Sequence, residues 1–181
     1  SINGAPYRFL VETIGRDRGF ADSRLRISGR GKSALLDNPY SAQMVFGNEF
    51  NRTAQQLMGD VLSLNGVPLG WDIEWEIDDW NVPAEVFSHT GSYMSALVQI
   101  AGAPGAYIQP HATAQTLYVK PRFPDLPSKW GDLTPDIELP SAGVTRESIE
   151  WRNLPAYNRV FVSGTSEGVV GQVTLAGTDG S

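Results

Sequence analysis

The sequence contains no cysteine and only two histidines, His89 and His111. Without cysteine the chain forms neither a disulfide framework nor a thiolate metal site, and two histidines are too few for an imidazole-rich zinc site. No apolar run approaches the roughly 18 residues that a membrane-spanning helix requires. These shortages exclude several classes of metalloprotein and membrane protein, and we expect no cofactor.

The 181 residues otherwise have the composition of a folded protein, with 41% hydrophobic residues, 19 glycines and 12 prolines. Such glycine and proline contents favour turns and short strands over long helices. The net charge of −6 is uneven, because residues 1–60 carry a net charge of +2 and residues 61–181 a net charge of −8. This charge argues against general nucleic-acid binding and suggests surfaces that meet different partners, including copies of the same protein.

Hydrophobic periodicity predicts an α+β fold that is rich in strands, with two short helices each followed by strands or a hairpin. The helices are expected at residues 53–64, capped by Thr53 or Asn51 and ended by Asn65-Gly66, and at residues 92–101, capped by Thr90 or Ser92. Strands are expected at residues 7–14, 24–28, 71–78, 106–109, 116–122, 148–151, 158–164 and 168–175. A polar turn region is expected between the first two strands.

Proline-rich residues 123–143 predict an extended connector. Residues 51–122 then form an α+β part, whereas residues 1–50 and 144–181 form a β-rich part. We expect these terminal segments to form one discontinuous domain with a shared sheet, since short sheets need a partner to bury one face. We also expect the chain to be a piece of a longer protein, because strand-like sequence begins almost at its first residue.

Residues 71–78, with the sequence WDIEWEID, alternate strictly between apolar and acidic side chains. On a strand the carboxylates lie on one face, about 7 Å apart. A regular row gives them similar environments, whereas an acid and a base need different ones, and calcium prefers converging ligands. We interpret this acidic stripe as a solvated sheet face, or as a surface that faces a partner or a lumen. Its members are Asp72, Glu74, Glu76 and Asp78.

Basic residues near the start of the chain form a second candidate surface. Leu25 and Ile27 alternate with arginines, as expected for a half-buried sheet. The segment GRGKS, residues 29–33, has part of a phosphate loop, but the full motif needs glycine where Arg26 stands. We interpret the segment as a solvated basic turn. The candidate basic partner face comprises Arg24, Arg26, Arg30 and Lys32.

No nucleophile with a base is evident. Ser88 and His89 are adjacent, yet neighbours on an extended chain point apart, and no Gly-x-Ser-x-Gly elbow occurs. His111 is interpreted as a polar turn residue. We therefore expect no catalytic residues and no enzyme activity.

Four segments are the most distinctive in the chain: residues 27–41 (ISGRGKSALLDNPYS), 53–75 (TAQQLMGDVLSLNGVPLGWDIEW), 88–111 (SHTGSYMSALVQIAGAPGAYIQPH) and 155–164 (PAYNRVFVSG). In combination they resemble the central part of phage and prophage tail proteins of the baseplate hub or tail-tip family. The resemblance covers residues 27–177, and it extends to hub domains of the type VI secretion spike. None of the segments is a short chemical motif that would fix a role by itself.

This resemblance implies a structural component of a virion tail or tail-like particle, assembled in the cytoplasm of a bacterial host. Such hubs are ring-like homotrimers that join the tail tube to the spike, built from β-rich tube-like domains and small α+β domains. The implied partners are tube, spike and other baseplate proteins, with only non-specific contact to passing DNA. The resemblance supplies no catalytic, cofactor or metal residues. Such hubs are usually considerably longer than this chain.

Two alternatives stay open at this point. A tail-associated cell-wall glycan hydrolase would use carboxylates such as Glu74 and Asp78. A carbohydrate-binding module would use Trp80 and Trp130 as exposed stacking platforms.

Overall fold

The computed structural model describes residues 1, 3–125, 127–134, 140–152, 157–164 and 168–178. In chain order these contain β1 (Phe9–Gly19), β2 (Asp22–Gly31), a 3-10 helix (Lys32–Leu36), β3 (Met44–Gly47), β4 (Arg52–Thr53), α1 (Ala54–Val61), β5 (Ser63–Leu64), β6 (Val67–Pro68), β7 (Asp72–Trp75), β8 (Asn81–Val82), β9 (Ser88–Gly91), α2 (Tyr93–Gly102), β10 (Ala106–Pro110), β11 (Thr116–Pro121), two further 3-10 helices (Pro127–Asp132 and Ser141–Gly143), β12 (Arg159–Gly164) and β13 (Gly168–Thr174). This architecture confirms the predicted α+β class.

The chain divides into two compact units, Ser1–Asp132 and Leu133–Ser181. The division falls inside the predicted connector at residues 123–143, part of which lies outside the described residues. In the second unit β12 and β13 pair antiparallel. Residues 148–151 form no strand, so that prediction is wrong: Ile149 and Trp151 are exposed, and their alternation finds no partner strand among the described residues.

The core of the first unit lies between two helices and a three-stranded sheet. The strand order is β10-β11-β7, with β10 antiparallel and β7 parallel to β11. Helix α1 packs against β7 and α2, and α2 packs against β10. The residues that are almost fully buried between these layers are Leu57, Met58, Leu97, Leu117 and Val119.

Both helices begin at the capping residues that their sequences indicate. Thr53 Oγ1 accepts a hydrogen bond from the Gln56 amide, and Gln56 Oε1 accepts one from the Thr53 amide, which completes a capping box. Ser92 Oγ accepts from the Ser95 amide at 3.2 Å at the start of α2. Helix α2 therefore matches its predicted bounds within one residue.

Helix α1 ends at Val61, three residues before the predicted end. Asn65 and Gly66 both have positive φ, 51° and 78°, and form the two-residue turn between β5 and β6. This pair was expected to stop the helix. It instead makes a hairpin, because its left-handed backbone matches the twist of two antiparallel strands.

Strands β1 and β2 form a hairpin much longer than predicted. The segment expected to be a polar turn belongs to the strands, and the turn is only Phe20-Ala21. That prediction was wrong because main-chain pairing continues through charged residues that alternation rules place in a loop. A register shift between Val11 and Thr13 marks a bulge, and the Phe20 side chain is fully exposed at the tip.

The β1–β2 and β12–β13 hairpins are each two-stranded sheets in the described residues. The prediction that the terminal segments share one sheet and one domain stays a prediction. Both hairpins leave large apolar side chains exposed, including Ile14 and Ile27 in the first and Val160 and Val173 in the second. Each hairpin therefore carries an apolar surface that its own two strands leave open.

Candidate functional site

The acidic stripe lies on the open face of the three-stranded sheet. Asp72, Glu74, Glu76 and Asp78 are all exposed, while the apolar residues between them are half-buried and pack against the core. The assigned strand β7 ends at Trp75, but the Glu76 amide still donates to the Val119 carbonyl at 3.0 Å. Lys120 Nζ lies 3.5 Å from Glu76 Oε1. The stripe is thus a solvated row of carboxylates with one weak cation contact at its end.

Asp79, which extends the stripe in sequence, has a different task. Its side chain accepts hydrogen bonds from the amides of Gln55, at 3.1 Å, and Trp80, at 2.9 Å. Partial burial opposes ionisation, yet hydrogen bonds from Thr53 and neighbouring amides outweigh it and lower the pKa of Asp79 below its ordinary value. Asp79 anchors the start of α1 instead of belonging to the open row.

The structure divides the predicted basic face. In the hairpin, Arg26 pairs with Gly15 and Arg24 with Asp17, so both arginines lie on one face and are exposed. Arg24 also contacts Asp22 at 2.9 Å. Both arginines are thus exposed, and Arg24 has an acidic neighbour on its own hairpin.

Arg30, near the end of β2, and Lys32, at the start of the 3-10 helix, make contacts within the first unit instead. Arg30 donates to Glu12 Oε1 and to the Asn38 carbonyl, both at 2.7 Å. Lys32 Nζ donates to Gln115 Oε1 at 2.8 Å. Their side chains therefore make contacts within the first unit, and the role of the four residues as a partner face stays a prediction.

The GRGKS segment forms no phosphate-binding loop. Residues 29–31 belong to β2, and Lys32 and Ser33 begin the 3-10 helix, so the segment is not the solvated turn that we predicted. Gly29 is needed for packing, because a Cβ there would overlap the Leu10 carbonyl oxygen at the bulge. A close approach of two strands explains this glycine without a nucleotide.

The opposite face of the β1–β2 hairpin carries the apolar side chains, together with Arg16. Cross-strand partners share a face, and the pairs Ile14–Ile27 and Arg16–Leu25 place these side chains opposite to Arg24 and Arg26. The exposed fractions are 57% for Ile27 and 63% for Leu25. The sequence correctly predicted two faces, but the apolar one is exposed in this chain and was expected to be half-buried.

A serine–histidine contact that sequence reasoning missed joins β9 to α2. His89 Nε2 lies 2.7 Å from Ser95 Oγ, although the sequence drew attention to Ser88. Ser95 Oγ also lies 2.8 Å from the Ser92 carbonyl oxygen, which accepts its hydrogen bond. The contact holds the strand against the helix start, and no sequence motif indicates it.

A second polar contact anchors the same helix. Ser92 Oγ donates to Asp37 Oδ1 at 2.7 Å, and Arg30 Nη1 lies 3.7 Å from Asp37 Oδ2. The hydrogen bond from Ser92 is the largest cause that lowers the pKa of Asp37. This chain of contacts connects the hairpin base to α2.

The remaining candidates have local structural roles. His111 Nδ1 accepts from the amides of Thr113 and Ala114 at 3.0 and 2.9 Å, as expected of a turn residue. Trp80 is half-buried against Trp75, with ring centroids 5.8 Å apart, so it is not the exposed platform of the carbohydrate-binding hypothesis. Trp130 is exposed beside Phe123.

The described residues contain no group of three or more His, Cys, Asp or Glu side chains that could hold a metal ion. Among the same residues, no helix has the length and apolarity needed to cross a membrane.

Comparisons with known proteins give a partial structural likeness and no sequence match. No protein-family model matches the sequence, and curated proteins give no match. Among solved structures, the chain is similar in part to the tail protein from Neisseria meningitidis MC58, with 18% identity and a TM-score of 0.44 over 61% of this chain. The match spans about a third, 32%, of that protein's length. A likeness of this size establishes neither a common fold nor a common activity.

Proposed function

We propose that this chain is a structural component of a phage or phage-like tail, in the baseplate hub or tail-tip subunit that joins the tail tube to the spike and host-attachment machinery. The observation that carries the proposal is the cluster of exposed apolar side chains on one face of the β1–β2 hairpin, Ile14, Leu25 and Ile27. Single exposed apolar residues are ordinary, but a cluster of them on one face of a hairpin is typical of a surface that another protein covers.

The charge distribution supports an assembly role. Exposed arginines on the hairpin and exposed carboxylates on the sheet give one unit two surfaces of opposite sign. Such surfaces orient subunits and suppress wrong contacts. The resemblance of the four sequence segments to hub and tail-tip proteins supports this assembly as the place of the chain, with tube, spike and baseplate proteins as proposed partners and a homotrimer as the proposed state of the full-length protein.

We further propose that the chain acts without catalysis. Glu74 and Asp78 are both exposed carboxylates, whereas glycoside hydrolysis needs two carboxyl groups in distinct environments. A turbidity assay on purified cell walls tests this part. Lysis that is lost in both Glu74→Gln and Asp78→Asn would instead establish the hydrolase.

The tail role is tested by deleting the gene from the phage or prophage that carries it. We expect particles that lack a functional tail tip and do not infect, and we expect the full-length gene to restore infectivity. Purified full-length protein should also bind tube or spike subunits. Infectious particles of normal appearance after the deletion would contradict the proposal.

A further inference from the structure

Two strands of the first unit have open edges. In the described residues β7 is the last strand of the order β10-β11-β7, and β2 pairs only with β1. The amides of Asp72 and Glu76 donate to carbonyls next to and within β11, so the main-chain groups of the intervening Ile73 and Trp75 point outward. An open edge of this kind is a template for another strand.

The side chains along these two edges are complementary. Strand β2 reads Arg24, Leu25, Arg26, Ile27, and β7 reads Asp72, Ile73, Glu74, Trp75. Laid side by side, basic side chains face acidic ones on one surface and apolar side chains meet on the other. Opposite charges on neighbouring strands stabilise the pair, as do apolar contacts.

The alternation also fixes the alignment. A slip of one residue would place arginines beside Ile73 and Trp75 and leave Leu25 beside carboxylates, which is unfavourable on both surfaces. Only alignments that preserve the two faces remain.

Within one copy these edges do not pair. We propose that β2 of one copy adds to the edge of β7 in a second copy, so that the hairpin extends the neighbour's sheet. This inference rests on the proposed hub function and names the surface through which the copies meet. Main-chain hydrogen bonds supply affinity, and the charge pattern supplies the choice of partner.

Charge reversal tests the proposal on the full chain, by sedimentation over a range of protein concentrations. One variant combines Arg24→Glu with Arg26→Glu, and the other combines Asp72→Lys with Glu74→Lys. Each alone should associate at least on the order of tenfold more weakly than the unaltered chain, because like charges then face one another. Mixing the two variants should restore association at contacts between unlike copies, where a reversed hairpin meets a reversed strand or an unaltered hairpin meets an unaltered strand; in a trimeric ring one contact stays mismatched.

Matched controls keep the net charge change but leave the two edges intact. Arg16→Glu with Arg18→Glu alters the same hairpin, and Glu49→Lys with Glu147→Lys alters exposed carboxylates elsewhere; both should associate as the unaltered chain does. Circular dichroism verifies that every variant is folded. A monomeric unaltered chain, or weak variants that mixing fails to restore, would overturn the pairing.

The outcome separates this inference from the proposed function. Self-association that is insensitive to both reversals removes the β2–β7 contact and leaves a hub that assembles through another surface. If the stripe instead lined a lumen, reversing Asp72 and Glu74 would leave assembly intact and impair genome ejection. A deletion without effect on infectivity would remove the hub function while the contact, measured on purified protein, still stood.

Discussion

Strands β2 and β7 have the same kind of sequence and opposite surroundings. Both alternate between charged and apolar residues, yet the apolar face of β7 packs against the core under α1, and that of β2 is exposed. The difference lies in their neighbours, because β7 joins a sheet covered by two helices, whereas β2 pairs with β1 alone among the described strands. Alternation thus identifies an amphipathic strand without showing whether its own chain covers it.

The largest effect on stability is expected from the core that covers the apolar face of β7. Leu97 in α2 is 0% exposed, and Leu97→Ala should lower the free energy of unfolding by about 2–5 kcal/mol through lost burial and a cavity. Leu25→Ala on the hairpin should change it by no more than about 0.5 kcal/mol. Urea unfolding followed by tryptophan fluorescence measures both. Equal losses would show that the hairpin face is covered within the chain.

The second-largest effect on stability is expected from the buried side-chain amide of Asn48. Asn48 Nδ2 donates to the Pro83 carbonyl at 2.6 Å, and its Oδ1 accepts from the Phe87 amide at 2.9 Å. Asn48→Ala leaves buried main-chain groups unpaired and should cost about 1–3 kcal/mol. The exposed Asn81→Ala serves as control and should be close to neutral in the same unfolding experiment. A loss confined to the control would refute this role of Asn48.

A third substitution should disturb the hairpin and spare the core. In Gly29→Ala the added methyl overlaps the Leu10 carbonyl, so β1 and β2 must separate locally, at a cost of about 1–3 kcal/mol. Amide hydrogen exchange should accelerate in β1 and β2 and stay unchanged in α2. Gly19→Ala, with open space around the new methyl, is the control. Unaltered exchange in Gly29→Ala would mean that the bulge is not as close as described.

The smallest effect on stability is expected at Asp37, which contacts both Arg30 of β2 and Ser92 at the start of α2. Hydrogen bonds from Ser92 and the Asn38 amide lower the pKa of Asp37 below its ordinary value. Its contribution to stability is therefore present above the ordinary pKa of an aspartate, about 3.9, and is lost as the pH falls through the lowered pKa. Asp37→Asn should cost about 1 kcal/mol or less at neutral pH, because the asparagine still accepts from Ser92 but without charge. Unfolding measured from pH 2 to 7 should show the variant losing less stability on acidification, and parallel profiles would contradict this.

Local sequence predicted the elements whose determinants are local. The cap of α1 at Thr53, the start of α2 at Ser92 and the hairpin of β10 and β11 are all set by residues close in sequence. The wrong predictions concern segments whose structure depends on whether another strand pairs with them. Strands β1 and β2 extend through charged residues because each continues to pair with the other, and residues 148–151 alternate without finding a partner among the described strands.

The candidate surfaces show the same division. The sequence correctly placed Asp72 and Glu74 on one face, since period-two alternation follows from strand geometry. It grouped Arg30 and Lys32 with Arg24 and Arg26, although the former two bind Glu12 and Gln115. A charged side chain near a strand can pair with any residue that the fold brings close to it. The local sequence pattern does not indicate which residue that is.

The sequence by itself determined the α+β class, both helix starts and the two faces of β2 and β7, because capping and alternation depend on neighbouring residues alone. Only the tertiary structure decided that β7 joins a covered sheet by pairing parallel to β11, more than 40 positions later in the chain, and that the β1–β2 hairpin keeps its apolar face open. Burial is a property of what packs against a face, and the partner of a strand is chosen by the whole fold.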